Sequence, residues 1–311
     1  MNYLFLVSHG SGAQLMQISI IRDFALAHPK DTIYISAINR YFADVLADEV
    51  DNIVSIDRAE LAPLFNQIMT EKDNWDVMQP DVYATYKFMT RQDNYYDTYR
   101  QLIGMERLND WSEKGSKYTP YVAIPPQFEE EAKKFAAKHP NFVIFQRQGG
   151  INPIIQQPER IRAVQQGEHG LKRAYPINFS EKVVDGLVKE GYEVLQYCLP
   201  EEPHVKGTIF MQQEQNQILY AALAKYAKGI VCIDSSLMHL AIGNCKNMTV
   251  LWAQSASGDN DCRGFGYEKA DNLFAHNYKP LSVYFAGVPD SPVVNMATPN
   301  EVLASVKKWN K

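Results

Sequence analysis

Paired cysteines are missing from this sequence. Cys198, Cys232, Cys245 and Cys262 are the only four in 311 residues, and none sits in a Cys-x-x-Cys spacing. That excludes a disulfide scaffold and a zinc site built on such pairs. Cys198 and Cys232 lie in or beside apolar runs, as buried thiols do, and a reduced, cytoplasmic setting is expected. A basic excess is also missing. Lys and Arg number 31 against 36 Asp and Glu, a net charge of −5. This argues against general nucleic-acid binding but leaves room for a local basic patch. No apolar run approaches the roughly 20 residues of a membrane span. Met1 to Val7 has no basic start, so no signal peptide is expected there. Gly10-Ser11-Gly12 lacks the third glycine of a dinucleotide fingerprint.

What the chain does have is a repeated strand–turn–helix pattern. Tyr3 to Val7 is a buried-strand run, Ser8 to Gln14 a glycine-containing loop, and Leu15 to Ala27 helical. Strands follow at Thr32–Ser36 and Ile53–Ile56 around a helix from Tyr41, which predicts a parallel sheet. Pro63 to Trp111 is aromatic and mainly helical, with a short strand possible at Trp75–Met78; most of these aromatics are expected in the core. Prolines 120, 125 and 126 mark the boundary between two domains, 1–125 and 126–311. The pattern restarts at Phe142–Phe145 and continues with a helix from Lys182, a strand at Tyr192–Tyr197 and a helix from Asn216. Strands at Ile230–Ile233 and Met248–Trp252 follow, and Pro299–Trp309 is a last helix that could pack back on the first domain. The fold class expected is α/β, two Rossmann-like domains facing each other across a cleft.

The organising stretch is Gly229 to Ala241. Ile230–Ile233 suits a buried parallel strand, and Asp234-Ser235-Ser236 leads straight into a helix from Leu237. Ligands of open α/β sheets bind at that carboxyl edge, and free amides at a helix start favour an anion. An acid, two hydroxyls and free amides there suit a phosphorylated sugar. A second stretch, Gln146 to Arg173, combines Gly149-Gly150 with Arg147, Arg160, Arg162, Lys172 and Arg173. It reads as a solvated loop or as a basic lid over a polyanion.

Lys172-Arg173-Ala174-Tyr175-Pro176, followed by Asp234-Ser235-Ser236-Leu237-Met238-His239-Leu240-Ala241, resembles the heptosyltransferase family of GT-B glycosyltransferases, glycosyltransferase family 9. The likeness is best from about Val143 to Trp252 and fainter over residues 1–60. It implies a nucleotide-diphosphate sugar as donor substrate, with no further cofactor and no metal. Lys172, with Arg173 and Arg147, would meet the donor phosphates; Ser235, Ser236 and the adjoining amides would hold the diphosphate. Asp234 would fix donor sugar hydroxyls, Glu201 or Glu202 the ribose, and His239 would lie near the diphosphate. Gly10 and Gly12 would let the first loop approach the donor. The family places a catalytic aspartate directly after this loop's last glycine; here that position is Ala13. His9 is the nearest substitute base, with Asp93 and Asp97 behind it. The resemblance therefore implies an inverting transferase with a glycan acceptor of the lipopolysaccharide-core type. A hydroxylated base in DNA as acceptor, or a module that binds a nucleotide sugar without transferring it, are the alternatives.

Overall fold

The computed structural model describes residues 1–89, 92–108, 115–149, 174–198, 202–211, 216–252, 265–276 and 296–310. The first sheet comprises β1 (Asn2–Val7), β2 (Thr32–Ala37), β3 (Ile53–Ser55) and β4 (Trp75–Met78), all parallel, in the order β3-β2-β1-β4. Its helices are α1 (Ser11–Ala27), α2 (Tyr41–Ala47) and α3 (Leu61–Thr70), followed by α4 (Tyr86–Met89) and α5 (Tyr95–Leu102). Alternation along β1 feeds two layers, because neighbouring strand residues point to opposite faces. Phe5 joins the core under α1, while Leu4 packs with Ile56, Ile68 and Trp75 on the α3 side.

The second sheet follows α6 (Pro126–Lys138). It contains β5 (Phe142–Phe145), β6 (Glu193–Gln196), β7 (Thr208–Ile209), β8 (Ile230–Ile233), β9 (Met248–Trp252) and β10 (Asp271–Phe274), all parallel, in the order β10-β9-β8-β5-β6-β7. Helices α7 (Ile177–Lys189), α8 (Gln217–Ala224), α9 (Ser236–Ala241) and α10 (Pro299–Lys307) complete it. Every residue of β5, β8 and β9 is buried, which is why these strands read as unbroken apolar runs. The terminal helix α10 lies on α7, β9 and β10 of this sheet rather than crossing to the first.

The sheets are joined by packing as well as by chain. Helix α1 is buried on several faces, polar residues included, because it meets α9 and α5 as well as its own sheet. Gln17 answers its burial by donating to the Tyr95 hydroxyl at 2.7 Å. Tyr95, Tyr96, Tyr99 and Phe88 are core residues, as their spacing suggests. The proline-bearing connection is tied to α1: Tyr118 Oη donates to Asp23 at 3.2 Å, the Tyr121 amide donates to Ser19 Oγ at 2.7 Å, and Arg22 stacks on the Tyr121 ring. Ser116 bridges to Tyr267, its amide donating to the Gly266 carbonyl at 2.8 Å. Gly115 makes this possible. Its φ is +111°, and a Cβ there would stand 2.7 Å from the Gly266 carbonyl, so only glycine fits.

Candidate active site

Each sheet has a point where the strand order reverses, between β1 and β4 in the first and between β5 and β8 in the second. In open parallel sheets these are the places where ligands bind. The loops after β5 and β8 are stitched together there. Ser235, the residue before α9, is extended and leaves the helix start uncapped by its own side chain; its Oγ instead donates to Gln146 Oε1. The first amides of α9 are thus free of their usual side-chain acceptor, as an anion-accepting turn requires. Asp234 is 4% exposed at the same turn. Gly149 approaches Ser235 Cβ, placing the start of the glycine-bearing loop at the mouth. The Tyr197 hydroxyl reaches Ser236 and Gln217, and burial pushes its pKa up to about 12.

Arg147 is not a free cation. It is 1% exposed, its Nε donates to the Tyr175 carbonyl at 3.3 Å, and an NH group donates to Gln148. Burial lowers its pKa and the charge of Glu202 opposes that shift. Glu202, itself buried, also acts on Cys198, whose thiol burial pushes up to about 12. Arg147, Glu202 and Cys198 form a buried polar group at the carboxyl ends of β5 and β6. Such a group fits a rigid floor better than a direct ligand contact. Lys172, Arg173 and Glu201 lie outside the described residues, as does Cys262. So does Asp259-Asn260-Asp261, an acidic pair at the Asp-x-Asp spacing of metal sites, which corrects the expectation that the sequence holds no such motif.

The first loop meets this turn directly. A Cβ on Gly12 would stand 2.9 Å from His239 Cδ2 and 3.4 Å from Ser236 Cα. Gly12 is glycine because α9 presses against it; Gly10, by contrast, is open. His239 is fixed from behind, its Nδ1 hydrogen-bonded to Tyr267 Oη at 2.6 Å, and Tyr267 bonds in turn to Tyr96 of α5. Two tyrosines from distant parts of the chain therefore set the histidine ring; no local signal in the sequence marks them.

His9, at the other side of the loop, has φ +76°, the left-handed region that non-glycine residues rarely adopt. Gln14 holds it there: Gln14 Nε2 donates to the His9 carbonyl at 2.7 Å, while its Oε1 accepts from the Asn39 amide at 2.8 Å. The two carboxylates named after His9 as candidate bases, Asp93 and Asp97, have partners of their own. Asp93 takes a two-pronged hydrogen bond from Arg107 at 2.9 and 3.0 Å, and Asp97 accepts from Asn94 and the Leu108 amide. Both serve to hold the segment around α5. The acid beside His9 is Asp81, 3.7 Å away. Next to this loop is a cavity of about 350 Å³ lined by Leu6, Val7, Ser8, Ser36, Arg58, Leu61 and Gln79. Ser36 Oγ is buried without a hydrogen-bond partner there.

Two parallel sheets, a connecting segment between them and the loop after β1 packed on the turn after β8 define the GT-B arrangement of Rossmann-like domains. Solved structures carry the same fold across the whole chain. A glycosyl transferase family 9 protein from Veillonella parvula matches with a TM-score of 0.66 at 13% identity, over 99% of this chain and 96% of that one. The E. coli ADP-heptose lipopolysaccharide heptosyltransferase II matches with a TM-score of 0.58 at 12% identity, over 99% and 98%. The dodecameric, iron-containing heptosyltransferase TibC of E. coli matches with 0.59 at 11%, over 99% of this chain and 76% of that one. No protein-family model and no curated protein matches the sequence. Among the described residues, no helix is long and apolar enough to cross a membrane.

Proposed function

We propose that the protein is an inverting glycosyltransferase. In this reading the second sheet binds a nucleotide-diphosphate sugar and the first presents the acceptor hydroxyl. The observation that supports it is the seating of Gly12 against Ser236 and His239, which packs the loop carrying His9 against the start of the helix that follows Asp234. As the anomeric carbon–oxygen bond breaks, charge grows on the departing diphosphate. Amides at the start of α9, with Lys172 and Arg173 by resemblance, neutralise it. No metal takes part in this reading. The cavity by Ser8, with Ser36, Arg58 and Gln79, offers hydroxyl and cationic partners to a polar acceptor. The relatives named for ADP-heptose make that sugar the first donor to test, with a glycan of the lipopolysaccharide-core type as acceptor and a cytoplasmic site of action.

A glycan is favoured over DNA because Arg147, part of the basic stretch, is turned into the protein. The reading as a binding module rests on Ala13 standing where the family has its aspartate. One screen separates these. The protein is incubated with nucleotide sugars, with acceptors and with duplex DNA, and released nucleoside diphosphate is measured with and without a chelator. Acceptor-dependent release that survives chelation is expected. Binding without release would establish the module, and release lost to the chelator would remove the metal-free mechanism.

A further inference from the structure

We propose that Asp81 and His9 act as a pair, with Asp81 the positioning residue for a histidine base that replaces the missing aspartate at Ala13. This rests on the transferase reading above. The two residues lie at the strand-order reversal of the first sheet: His9 two residues after β1, Asp81 three residues after β4. They come from positions far apart in sequence, so their meeting is a product of the β1–β4 pairing.

The pair is held from both sides. His9 is kept in its left-handed conformation by Gln14, a strained state that persists where the surroundings over-determine it. Its ring packs edge-on against Tyr83, centroids 4.9 Å apart, with Tyr95 behind Tyr83. This turns Nε2 inward, where it is buried without a hydrogen bond, 3.7 Å from Asp81 Oδ1. Asp81 is anchored in turn. It caps the short 3-10 turn Val82–Ala84, its Oδ1 accepting from the Tyr83 amide at 2.9 Å. Catalytic hydrogen bonds are often long in empty sites and tighten on substrate binding.

A carboxylate at Nε2 fixes the tautomer. The proton stays on Nε2, and Nδ1 keeps its lone pair for the substrate. In the transfer step Nδ1 takes the acceptor hydroxyl proton as the acceptor oxygen bonds to the anomeric carbon. The bond from that carbon to the diphosphate oxygen breaks, its electron pair leaving with the diphosphate. Asp81 stabilises the imidazolium so formed, without itself accepting the proton.

The test uses the full chain. Asp81→Asn keeps the cap, since Asn caps as well as Asp, but removes the charge. It is expected to lower kcat with KM unchanged, by less than the about 10²- to 10⁴-fold that losing the base itself costs. In a His9→Gly background the same substitution is expected to change nothing further. An equal loss in both backgrounds marks a structural role and overturns the proposal. A second readout needs no activity. Nitrogen NMR of histidine-labelled protein, with His9 assigned by its loss in His9→Gly, should show the Nε2–H tautomer. In Asp81→Ser, which still caps but is too short to reach the ring, a tautomer mixture should replace it. A wild-type His9 protonated on Nδ1, or identical spectra for the two proteins, overturns the pair. If the wild type transfers no sugar, the transferase reading fails while the tautomer measurement still decides the pair.

Discussion

His9→Gly is expected to transfer sugar about 10² to 10⁴-fold more slowly than the wild type, the usual contribution of a positioned base. Donor affinity should be unchanged, because His9 belongs to the first sheet and the donor turn to the second. Glycine is the informative replacement. The backbone at this position has φ +76°, which glycine adopts without strain, so loss of rate cannot be laid to a distorted loop. Removing the ring also leaves a space beside Tyr83 that free imidazole can enter. Stopped assays of nucleoside diphosphate release should show part of the rate restored as imidazole is added. A variant with full activity would remove His9 from the reaction. A slow variant that imidazole does not help would count against the His9 ring as the base.

The largest effect on stability is expected from Arg107→Ala. The Asp93 carboxylate is wholly buried and held by both arms of the Arg107 guanidinium, with Asp97 also nearby. Breaking a buried pair costs about 3–5 kcal/mol; Arg107 is about a third exposed, so the lower end is expected, near 3 kcal/mol. That corresponds to a fall in Tm of roughly 5–10 °C. The pH dependence has a definite sign. Burial already raises the Asp93 pKa, and Arg107 opposes that rise. Without Arg107 the folded-state value climbs further above the unfolded one, so the folded variant holds its proton more tightly. Its stability deficit should therefore shrink as pH falls from 7 toward 5 and widen as pH rises. Thermal unfolding across that range tests this; a deficit independent of pH would show that Asp93 is not the buried charge responsible.

These two residues also show how far the sequence could be read. Central strands β1, β5, β8 and β9 announce themselves because a parallel strand covered on both faces is apolar throughout. The short β7 and the half-exposed β10, with Asp271 and Asn272, lie at the sheet edges and carry no such run, so the sequence reading misses both. The Asp234 turn is legible because strand, cap residues and helix are contiguous. His9 is legible as the titratable residue in a glycine loop. Its partner is not. Asp93 and Asp97 look like candidates by number and type, yet both are consumed holding Arg107, Asn94 and Leu108 in place. Asp81 reaches His9 only because β4 pairs beside β1. The same holds for Gly12: a glycine in a loop suggests room for a ligand, whereas this one makes room for α9. Tyr267 and Tyr96, which fix His239, are joined by tertiary packing alone.

Amide hydrogen exchange with and without a saturating nucleoside diphosphate sugar reaches the central claim most directly. The account predicts slowed exchange at residues 234–240 and 146–149, where the turn after β8 and the end of β5 would close around the diphosphate. Protection confined to other segments, or none at saturation, would contradict it.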